Sequence, residues 1–340
     1  MISNIYTKEK TLLPRVEQDP KAVTLEAPGK VSIDSFSPRD PGVGEVRIRL
    51  EGCGISASNL PVWQGRPWFQ YPLPAGNPGH EGWGIVEAIG VEVKGFALRQ
   101  RVTGLTYNAF ATHDIALADN LVILPDFFDN KPFPGEPLGC AMNVFERSQV
   151  SAGQTVAVVG CGFLGLILVQ LLKSAQCKVI AISQREYSLT RAKEFGADHT
   201  LFLEDHQSII EQVKQLTHGN FCDRTIEFTG KEWSLNVSIE ITGTKGKLVV
   251  AGFHQDVMRL VNRQLLNWRG IDMVNADERH ARHYIIGIKK AIDAIQKGKM
   301  YPFDLFTHQY RLEDIAEGFD TMMQRPDGFI KALVINGDNQ

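Results

Sequence analysis

The chain has 340 residues, of which 43% are hydrophobic and 22% charged, and its formal net charge is −3. The length is enough for two domains, because single cores stop growing near about 250–300 residues. The charge gives no basic stripe for nucleic acid. The longest apolar run, near 163–172, is too short to cross a membrane, and residues 1–10 contain no signal-peptide stretch. The sequence therefore predicts a cytoplasmic protein that binds neither nucleic acid nor membrane.

The cysteines are odd in number and scattered, and no two of them form a CxxC pair. They are Cys53, Cys140, Cys161, Cys177 and Cys222. This pattern argues against a disulfide framework and against a compact structural zinc knuckle.

The first part of the chain shows short strands between turn signals. A strand is predicted over 44–50, where apolar and polar residues alternate, and another over 84–90 between glycines. Gly52 and Gly54 follow the first of these strands as turn residues. Residues 21–125 are therefore predicted to form an irregular, mostly β domain.

After Pro137 the pattern changes to strands that alternate with helices. Helices are predicted over 142–148, 163–175, 187–195, 283–297 and 312–324, and strands over 155–159, 177–183, 224–228, 247–251, 271–275 and 330–335. Buried strands alternating with helices indicate a parallel, doubly wound sheet. The predicted fold class is therefore α/β.

A glycine-rich segment joins the first strand of this second part to its helix. Gly160, Gly162 and Gly165 have the G-x-G-x-x-G spacing, with Phe163 and Leu164 inside it. The first glycine makes the turn, the second lets a pyrophosphate approach the backbone, and the third lets helix and strand pack closely. The helix N-terminus adds unpaired N–H groups and a positive dipole. The segment predicts a dinucleotide site; the alternative is a tight turn without a ligand.

The end of the following strand selects the cofactor. An NAD site usually has an acidic residue there, which accepts from the ribose 2′-hydroxyl. Here the strand ends in Ser183, Gln184 and Arg185, so no carboxylate repels a 2′-phosphate. Ser183 can donate a hydrogen bond and Arg185 a charge-assisted one. The sequence predicts NADP(H) rather than NAD(H), the alternative being that Arg185 is only a solvated charge.

Taken together, the motifs resemble the medium-chain dehydrogenase/reductase superfamily of the zinc alcohol dehydrogenase type, nearly from end to end. The resemblance rests on the glycine fingerprint and on the segments Gly79-His80-Glu81 with Gly84 and Gly90, 53–59, 136–140, 195–198 and 328–331. It implies a GroES-like β-rich catalytic domain formed by 1–140 and 278–340. It further implies a Rossmann domain over 141–277, with the active site between the two. By family habit the protein is a dimer or tetramer that acts on a small-molecule substrate.

The resemblance also implies a catalytic zinc site, which this chain alters. His80 and Cys140 match two family ligands, but Ser56 stands where a cysteine is usual. A neutral hydroxyl is a poor zinc ligand beside thiolate or imidazole. Glu81 can complete a rearranged set, so weak binding, a rearranged site and no zinc all stay open. If they are not metal ligands, His80 is a hydrogen-bonded residue of a glycine-rich loop and Cys140 is a buried thiol.

The family's second, structural zinc lobe would fall between residues 102 and 109, where no cysteine stands. The resemblance therefore predicts that this lobe is missing.

Further site residues follow from the same resemblance. Ser58 matches the hydroxyl that hydrogen-bonds the substrate alcohol, and Asn59 stands where an aspartate commonly orients the histidine. The predicted catalytic residues are therefore Ser58, His80 and Glu81. On the cofactor side, Gly252 and Phe253 match the strand end that borders the nicotinamide, and Lys331 matches a basic residue that reaches the pyrophosphate.

An aromatic run precedes the histidine motif. Trp63, Trp68, Phe69 and Tyr71 resemble the stretch that lines the outer substrate cleft in this family. The run has neither helical nor strand periodicity, which favours a loop at a pocket rim and an apolar or ring-bearing substrate. The alternative is that these rings belong to the core.

The sequence as a whole predicts an NADP(H)-dependent oxidoreductase. It would transfer a hydride between the nicotinamide and a carbonyl or alcohol carbon. One alternative is the zinc-independent branch, which reduces activated C=C bonds of enones and quinones. A further alternative is a non-enzymatic, NADPH-binding sensor.

Overall fold

The computed structural model of the protein describes residues 19–337, so the segment 1–10 considered above lies outside it. Within this range the strands are β1 Lys21–Ala27, β2 Lys30–Ser35, β3 Glu45–Ile55, β4 Gly82–Ile89, β5 Arg101–Gly104, β6 His113–Leu117, β7 Leu121–Ile123, β8 Thr155–Val159, β9 Lys178–Ser183, β10 His199–Phe202, β11 Cys222–Glu227, β12 Thr242–Val250, β13 Asp272–Asn275, β14 Phe306–Arg311 and β15 Lys331–Ile335.

The α-helices of the same range connect or cover these strands. They are α1 Leu60–Trp63, α2 Gly135–Ser148, α3 Phe163–Ser174, α4 Glu186–Glu194, α5 His206–Leu216, α6 Glu232–Glu240, α7 Arg263–Arg269, α8 Ala281–Gln296 and α9 Ile315–Gln324. None of these helices is long and apolar enough to cross a membrane.

The N-terminal half is built around a seven-stranded sheet with the order β14-β15-β3-β4-β5-β7, in which β6 also pairs with β3. β15 runs antiparallel to β3, with Ala332 opposite Ile55, and β14 lies parallel to β15. The last strands of the chain therefore complete the sheet of the first half. This is the β-rich catalytic fold that the resemblance implies, and the fold class is confirmed.

β3 is longer than the predicted strand at 44–50, because it continues through two glycines. A Cβ at Gly52 would lie 2.5 Å from the Trp83 ring, and a Cβ at Gly54 would lie 1.8 Å from Oε2 of Glu81. The sequence interpretation of these glycines as turn residues is wrong. They serve instead to let neighbouring side chains cross the face of the strand.

The second half forms a six-stranded, all-parallel sheet with the order β10-β9-β8-β11-β12-β13. The strands of its centre are buried, and Val156, Val158 and Val159 have no exposed surface. The strand order reverses between β8 and β11. In doubly wound sheets a ligand binds beyond the carboxyl ends of the strands at such a switch point.

α2 and α8 pack against each other between the two sheets. A Cβ at Gly139 would lie 2.9 Å from Tyr284 O, and one at Gly287 would lie 2.6 Å from Gly139 O. The backbones therefore touch at a pair of glycines. The predicted domain limits, 1–140 with 278–340 and 141–277, stay a prediction. Of these residues, 1–18 and 338–340 lie outside the described part of the chain, and the limit at 140 falls inside α2.

Most predicted elements of the second half differ from the observed ones by one or two residues. The predicted helix at 142–148 begins seven residues earlier, at Gly135. The predicted strand at 247–251 begins five residues earlier, at Thr242. The predicted helix at 312–324 begins with the 3-10 turn Leu312–Asp314, after which α9 follows.

Candidate active site

Ser56 and Ser58 lie on the 3-10 turn Ala57–Asn59 that follows β3. Ser56 caps this turn, because its Oγ accepts from the Ser58 N–H and the Asn59 Oδ1 accepts from the Ser56 N–H at 2.8 Å. Oγ of Ser58 donates to Oγ of Ser56 at 2.9 Å, and Ser58 is exposed. The cap thus fixes a pair of hydroxyls at the edge of the sheet.

His80 faces this pair. Its Nδ1 lies 2.9 Å from Pro78 O and its Nε2 lies 3.4 Å from Oγ of Ser58. When Nδ1–H donates to the carbonyl, Nε2 presents a lone pair toward the hydroxyls. The predicted role of Asn59 needs correction. Its oxygen is bonded to Ser56, and its Nδ2 donates to the same Pro78 carbonyl at 3.1 Å.

Glu81 and Lys331 form a buried ion pair, with 1% and 4% of their surfaces exposed. Oε1 of Glu81 accepts a hydrogen bond from Nζ of Lys331 at 2.8 Å. Oε2 lies 2.6 Å from the same nitrogen, so both carboxylate oxygens contact the ammonium. Nζ also lies 5.4 Å from the centroid of the Phe163 ring. Lys331 therefore stands between the carboxylate and the first residue of α3.

Glu136 and Cys140 lie one turn apart on α2, and Sγ of Cys140 donates to Oε1 of Glu136 at 3.1 Å. Burial raises the pKa of the Glu136 carboxyl, and the charge of His80 reduces this rise without cancelling it. Burial, followed by the charge of Glu136, raises the pKa of the Cys140 thiol well above its ordinary value.

Three ligand atoms come together in this region. Among the described residues, His80, Glu81 and Glu136 form the group of possible metal ligands, with one atom from each lying within 4.8 Å of the others. Of the predicted metal residues, His80 and Glu81 are in this group and Cys140 is not. Glu136 is the third member, and Sγ of Cys140 lies 3.1 Å from its Oε1. The metal role of Cys140 stays a prediction.

The glycine fingerprint has the geometry that its spacing predicts. Gly160 has φ +98°, in the left-handed region that favours glycine. A Cβ at Gly165 would lie 2.1 Å from Gly160 O, so helix and strand touch there. A Cβ at Gly162 would have no described atom within 4 Å, so space is open beside the N-terminus of α3. Phe163 is 8% exposed and Leu164 is half-buried.

Ser183 and Arg185 are joined at the end of β9, where the Arg185 N–H donates to Oγ of Ser183 at 3.3 Å and Gln184 is exposed. The Arg185 guanidinium is half-buried and donates to the Phe329 carbonyl. Burial, with the positive charge of Arg325 next in size, holds the pKa of Arg185 below its ordinary value. The strand end is therefore cationic.

Gly252 follows β12, and its N–H donates to the Glu227 carbonyl at 2.8 Å, while Phe253 is 41% exposed. Glu227 has no exposed surface, and its Oε2 lies 2.8 Å from Nε2 of His254. This buried carboxylate fixes the loop that carries Phe253. Sequence reasoning missed it because nothing in the local pattern marks the glutamate of a buried strand.

The aromatic run divides between core and surface. Trp63 is 5% exposed, stacks on Phe319 with 4.7 Å between ring centroids, and donates from Nε1 to Asp320 at 3.1 Å. Trp68 is 52% exposed. The assignment of Trp63 to a pocket rim is therefore wrong, because its ring packs against α9.

Comparison with known proteins agrees with this geometry. The sequence model described as "Alcohol dehydrogenase GroES-like domain" matches residues 42–118, and the one described as "Zinc-binding dehydrogenase" matches 164–285. The chain belongs to the medium-chain dehydrogenase/reductase superfamily. Membership of this superfamily makes it an enzyme of the oxidoreductase class.

Curated superfamily members match along most of their length. An erythritol/L-threitol dehydrogenase of Mycolicibacterium smegmatis is 26% identical over 94% of this chain and 99% of its own. A sorbitol dehydrogenase of Halalkalibacterium halodurans is 24% identical over 86% of this chain and 92% of its own.

Solved superfamily structures share the fold. A 2R,3R-butanediol dehydrogenase from Bacillus subtilis has a TM-score of 0.82 at 20% identity and covers 94% of this chain and 100% of its own. A quinone oxidoreductase of Pseudomonas syringae pv. Tomato has a TM-score of 0.80 at 22% identity, over 93% and 100%. A zinc-binding dehydrogenase from Sinorhizobium meliloti, bound to NADP, has a TM-score of 0.80 at 22% identity, over 94% and 100%.

The zinc that this superfamily implies can be tested against the residues present. A catalytic zinc takes three protein ligands and leaves one position open. His80, Glu81 and Glu136 supply three such atoms, one from each residue, within 4.8 Å of one another. The donor set fits a divalent metal, with nitrogen and oxygen ligands in place of thiolate. Ser56 fits less well, because its hydroxyl is already bonded to Ser58.

Proposed function

We propose that the protein transfers a hydride between NADP(H) and a carbonyl or alcohol carbon of a small substrate. The observation that carries this proposal is the position of Lys331. Its Nζ contacts the carboxylate of Glu81 and lies 5.4 Å from the ring of Phe163. The polar group around His80 is therefore adjacent to the helix N-terminus at which a pyrophosphate is expected to bind.

The choice of NADP(H) is supported by the charge at the end of β9. Arg185 is cationic, Arg325 adds a second positive charge nearby, and Ser183 stands where an acidic residue would select NAD(H). A 2′-phosphate is a good acceptor for such a pair. We therefore expect kcat/KM for NADPH to exceed that for NADH; a clear preference for NADH would overturn this part of the proposal.

In carbonyl reduction, a hydride moves from the nicotinamide to the carbonyl carbon, and the C=O π electrons move to the oxygen. Ser58 is the exposed hydroxyl of the site and supplies the proton to that oxygen. Oγ of Ser56 lies 2.9 Å and Nε2 of His80 lies 3.4 Å from Oγ of Ser58. Because Ser58 is exposed, water can replace the proton that it gives up. Oxidation of the alcohol follows the same path in reverse.

His80, Glu81 and Glu136 are the residues that would hold a divalent metal, which when bound polarises the substrate oxygen. The exposed ring of Trp68, 6.0 Å from that of Phe69, supports an apolar or ring-bearing substrate.

Ser56 favours a second candidate function, the zinc-independent reduction of the C=C bond of an enone or quinone. There the hydride goes to the β-carbon and the oxyanion is an enolate, which needs less polarisation than an alkoxide. NADPH oxidation measured with matched aldehydes, ketones, enones and quinones separates the two. Turnover confined to enones and quinones would replace the first candidate with the second. The non-enzymatic sensor is not proposed, since the chain is a member of a dehydrogenase superfamily.

We further propose that the protein is a homodimer joined at the edge of β13. Met273 on β13 is 44% exposed, and large apolar side chains in the segment leading to this strand are exposed as well: Met258 is 96%, Trp268 85% and Leu260 80% exposed. Such a patch is typical of a protein interface. Light scattering of wild type and Trp268→Asp tests this; two monomeric proteins would refute it. The cytoplasmic location stays a prediction from sequence.

A further inference from the structure

Lys331 lies between a carboxylate, which attracts its charge, and a helix N-terminus, which attracts anions. On one side, both oxygens of Glu81 are within 2.8 Å of its Nζ. On the other side lies the first turn of α3, whose N-cap residue Gly162 provides no side-chain cap and beside which space is open. The ammonium is 4% exposed and lies 5.4 Å from the ring of Phe163. It is therefore held away from solvent, close to both places.

Glu81 is in turn shared between two partners. Its carboxylate neutralises Lys331, and the same carboxylate supplies one of the three ligand atoms of the possible metal group. A metal dication on Glu81 would lie a few ångströms from the ammonium, where like charges repel strongly in a buried site. The ion pair and full three-residue ligation therefore oppose each other.

We propose that Lys331 couples cofactor binding to metal binding. This inference rests on the proposed dinucleotide site. A bound pyrophosphate attracts the ammonium toward α3 and so weakens its hold on Glu81, which then becomes available as the third ligand beside His80 and Glu136. Without cofactor, Lys331 keeps Glu81 occupied and metal affinity low. By thermodynamic linkage, the metal must tighten cofactor binding by the same factor.

The experiment measures Zn²⁺ affinity by competition with a chromophoric chelator, with and without saturating NADP⁺. Titrations of the chelator with NADP⁺ alone correct for zinc held by the nucleotide. NADP⁺ binding without metal is measured separately by tryptophan fluorescence, so failure of the dinucleotide site is seen independently. Co²⁺ absorption reports the coordination in each state.

For wild type we expect NADP⁺ to tighten Zn²⁺ binding by about tenfold, within the usual range of coupling between sites. Lys331→Met should bind Zn²⁺ more tightly without cofactor and should lose the coupling, whereas Lys331→Arg should keep it. Lys289→Met, an exposed lysine on α8, is the matched control and should behave as wild type.

The proposal is overturned if NADP⁺ binds wild type but leaves Zn²⁺ affinity unchanged, or if Lys331→Met shows the wild-type coupling. Absence of Zn²⁺ binding by wild type in either state overturns it as well, and absence of NADP⁺ binding overturns it together with the proposed function. If Lys331→Met does not fold, wild type and Lys331→Arg still test the proposal, because equal Zn²⁺ affinity of wild type with and without NADP⁺ refutes it.

Discussion

Gly54→Ala tests how the fold makes room for the buried ion pair. The new Cβ would lie 1.8 Å from Oε2 of Glu81 and 2.9 Å from its Cδ, so the carboxylate must move. Overpacking costs about 1–3 kcal/mol, and separating a buried ion pair costs about 3–5 kcal/mol when one charge is left without a partner. We expect a loss of at least about 3 kcal/mol. The backbone of Gly54 is not in the left-handed region, so the loss arises from contact rather than from φ.

The assay is thermal unfolding of Gly54→Ala beside Gly162→Ala. The control also adds a methyl group to a glycine without positive φ, but no described atom lies within 4 Å of it. For a chain of 340 residues, an unfolding entropy of about 2.1 cal/mol/K per residue gives roughly 1.4 °C per kcal/mol, so Gly54→Ala should lower Tm by at least about 4 °C and Gly162→Ala by less than about 1 °C.

A double-mutant comparison identifies the cause of the Gly54→Ala loss. In a Glu81→Ala/Lys331→Met background the clash and the pair are both gone, so the cost of Gly54→Ala should fall below about 1 kcal/mol. If Gly54→Ala is as stable as wild type, or costs the same in both backgrounds, the steric argument is refuted.

Other expectations concern the cofactor, the proton path and pH. Arg185→Ala should raise KM for NADPH by about 10–100-fold, because a hydrogen bond to a charged group contributes about 1.5–3 kcal/mol; an equal change for NADH would contradict a 2′-phosphate role. Ser58→Ala should lower kcat by about 100-fold or more, while Ser32→Ala, on β2, should not; near-wild-type turnover by Ser58→Ala would exclude the hydroxyl as proton donor. Burial lowers the pKa of His113, so the unfolded chain binds more protons below about pH 6.5 and stability falls with falling pH. Wild type should therefore lose more Tm than His113→Gln between about pH 7.5 and 5.5; equal losses would show that His113 is not responsible.

The elements that sequence predicts well are those set by local chemistry. The turn at Gly160 follows from the φ that only glycine adopts easily, and the alternation of strands and helices follows from local apolar periodicity. β3 shows the limit of this approach. Gly52 and Gly54 resemble turn residues locally, yet they lie inside a strand because Trp83 and Glu81 need the space.

The site was harder to predict, because its members come from distant parts of the chain. Ser56, His80 and Glu81 could be found from short motifs. The position of Glu136 near His80 and Glu81 depends on the start and orientation of α2, which short motifs do not determine. The contact of Lys331 with Glu81 depends on β15 lying beside β3, and no local pattern determines that register.

That pairing also has a consequence for synthesis. Glu81 and Lys331 are 250 residues apart in the chain, and β15 covers the end of β3 that leads into Ser56. At about 5–20 residues per second, a nascent chain carries Glu81 for roughly 10–50 s before its lysine exists. During that interval the β3 edge has no β15 beside it, and an uncovered strand edge pairs readily with other chains. The sheet that begins first in the chain is therefore the last to be completed.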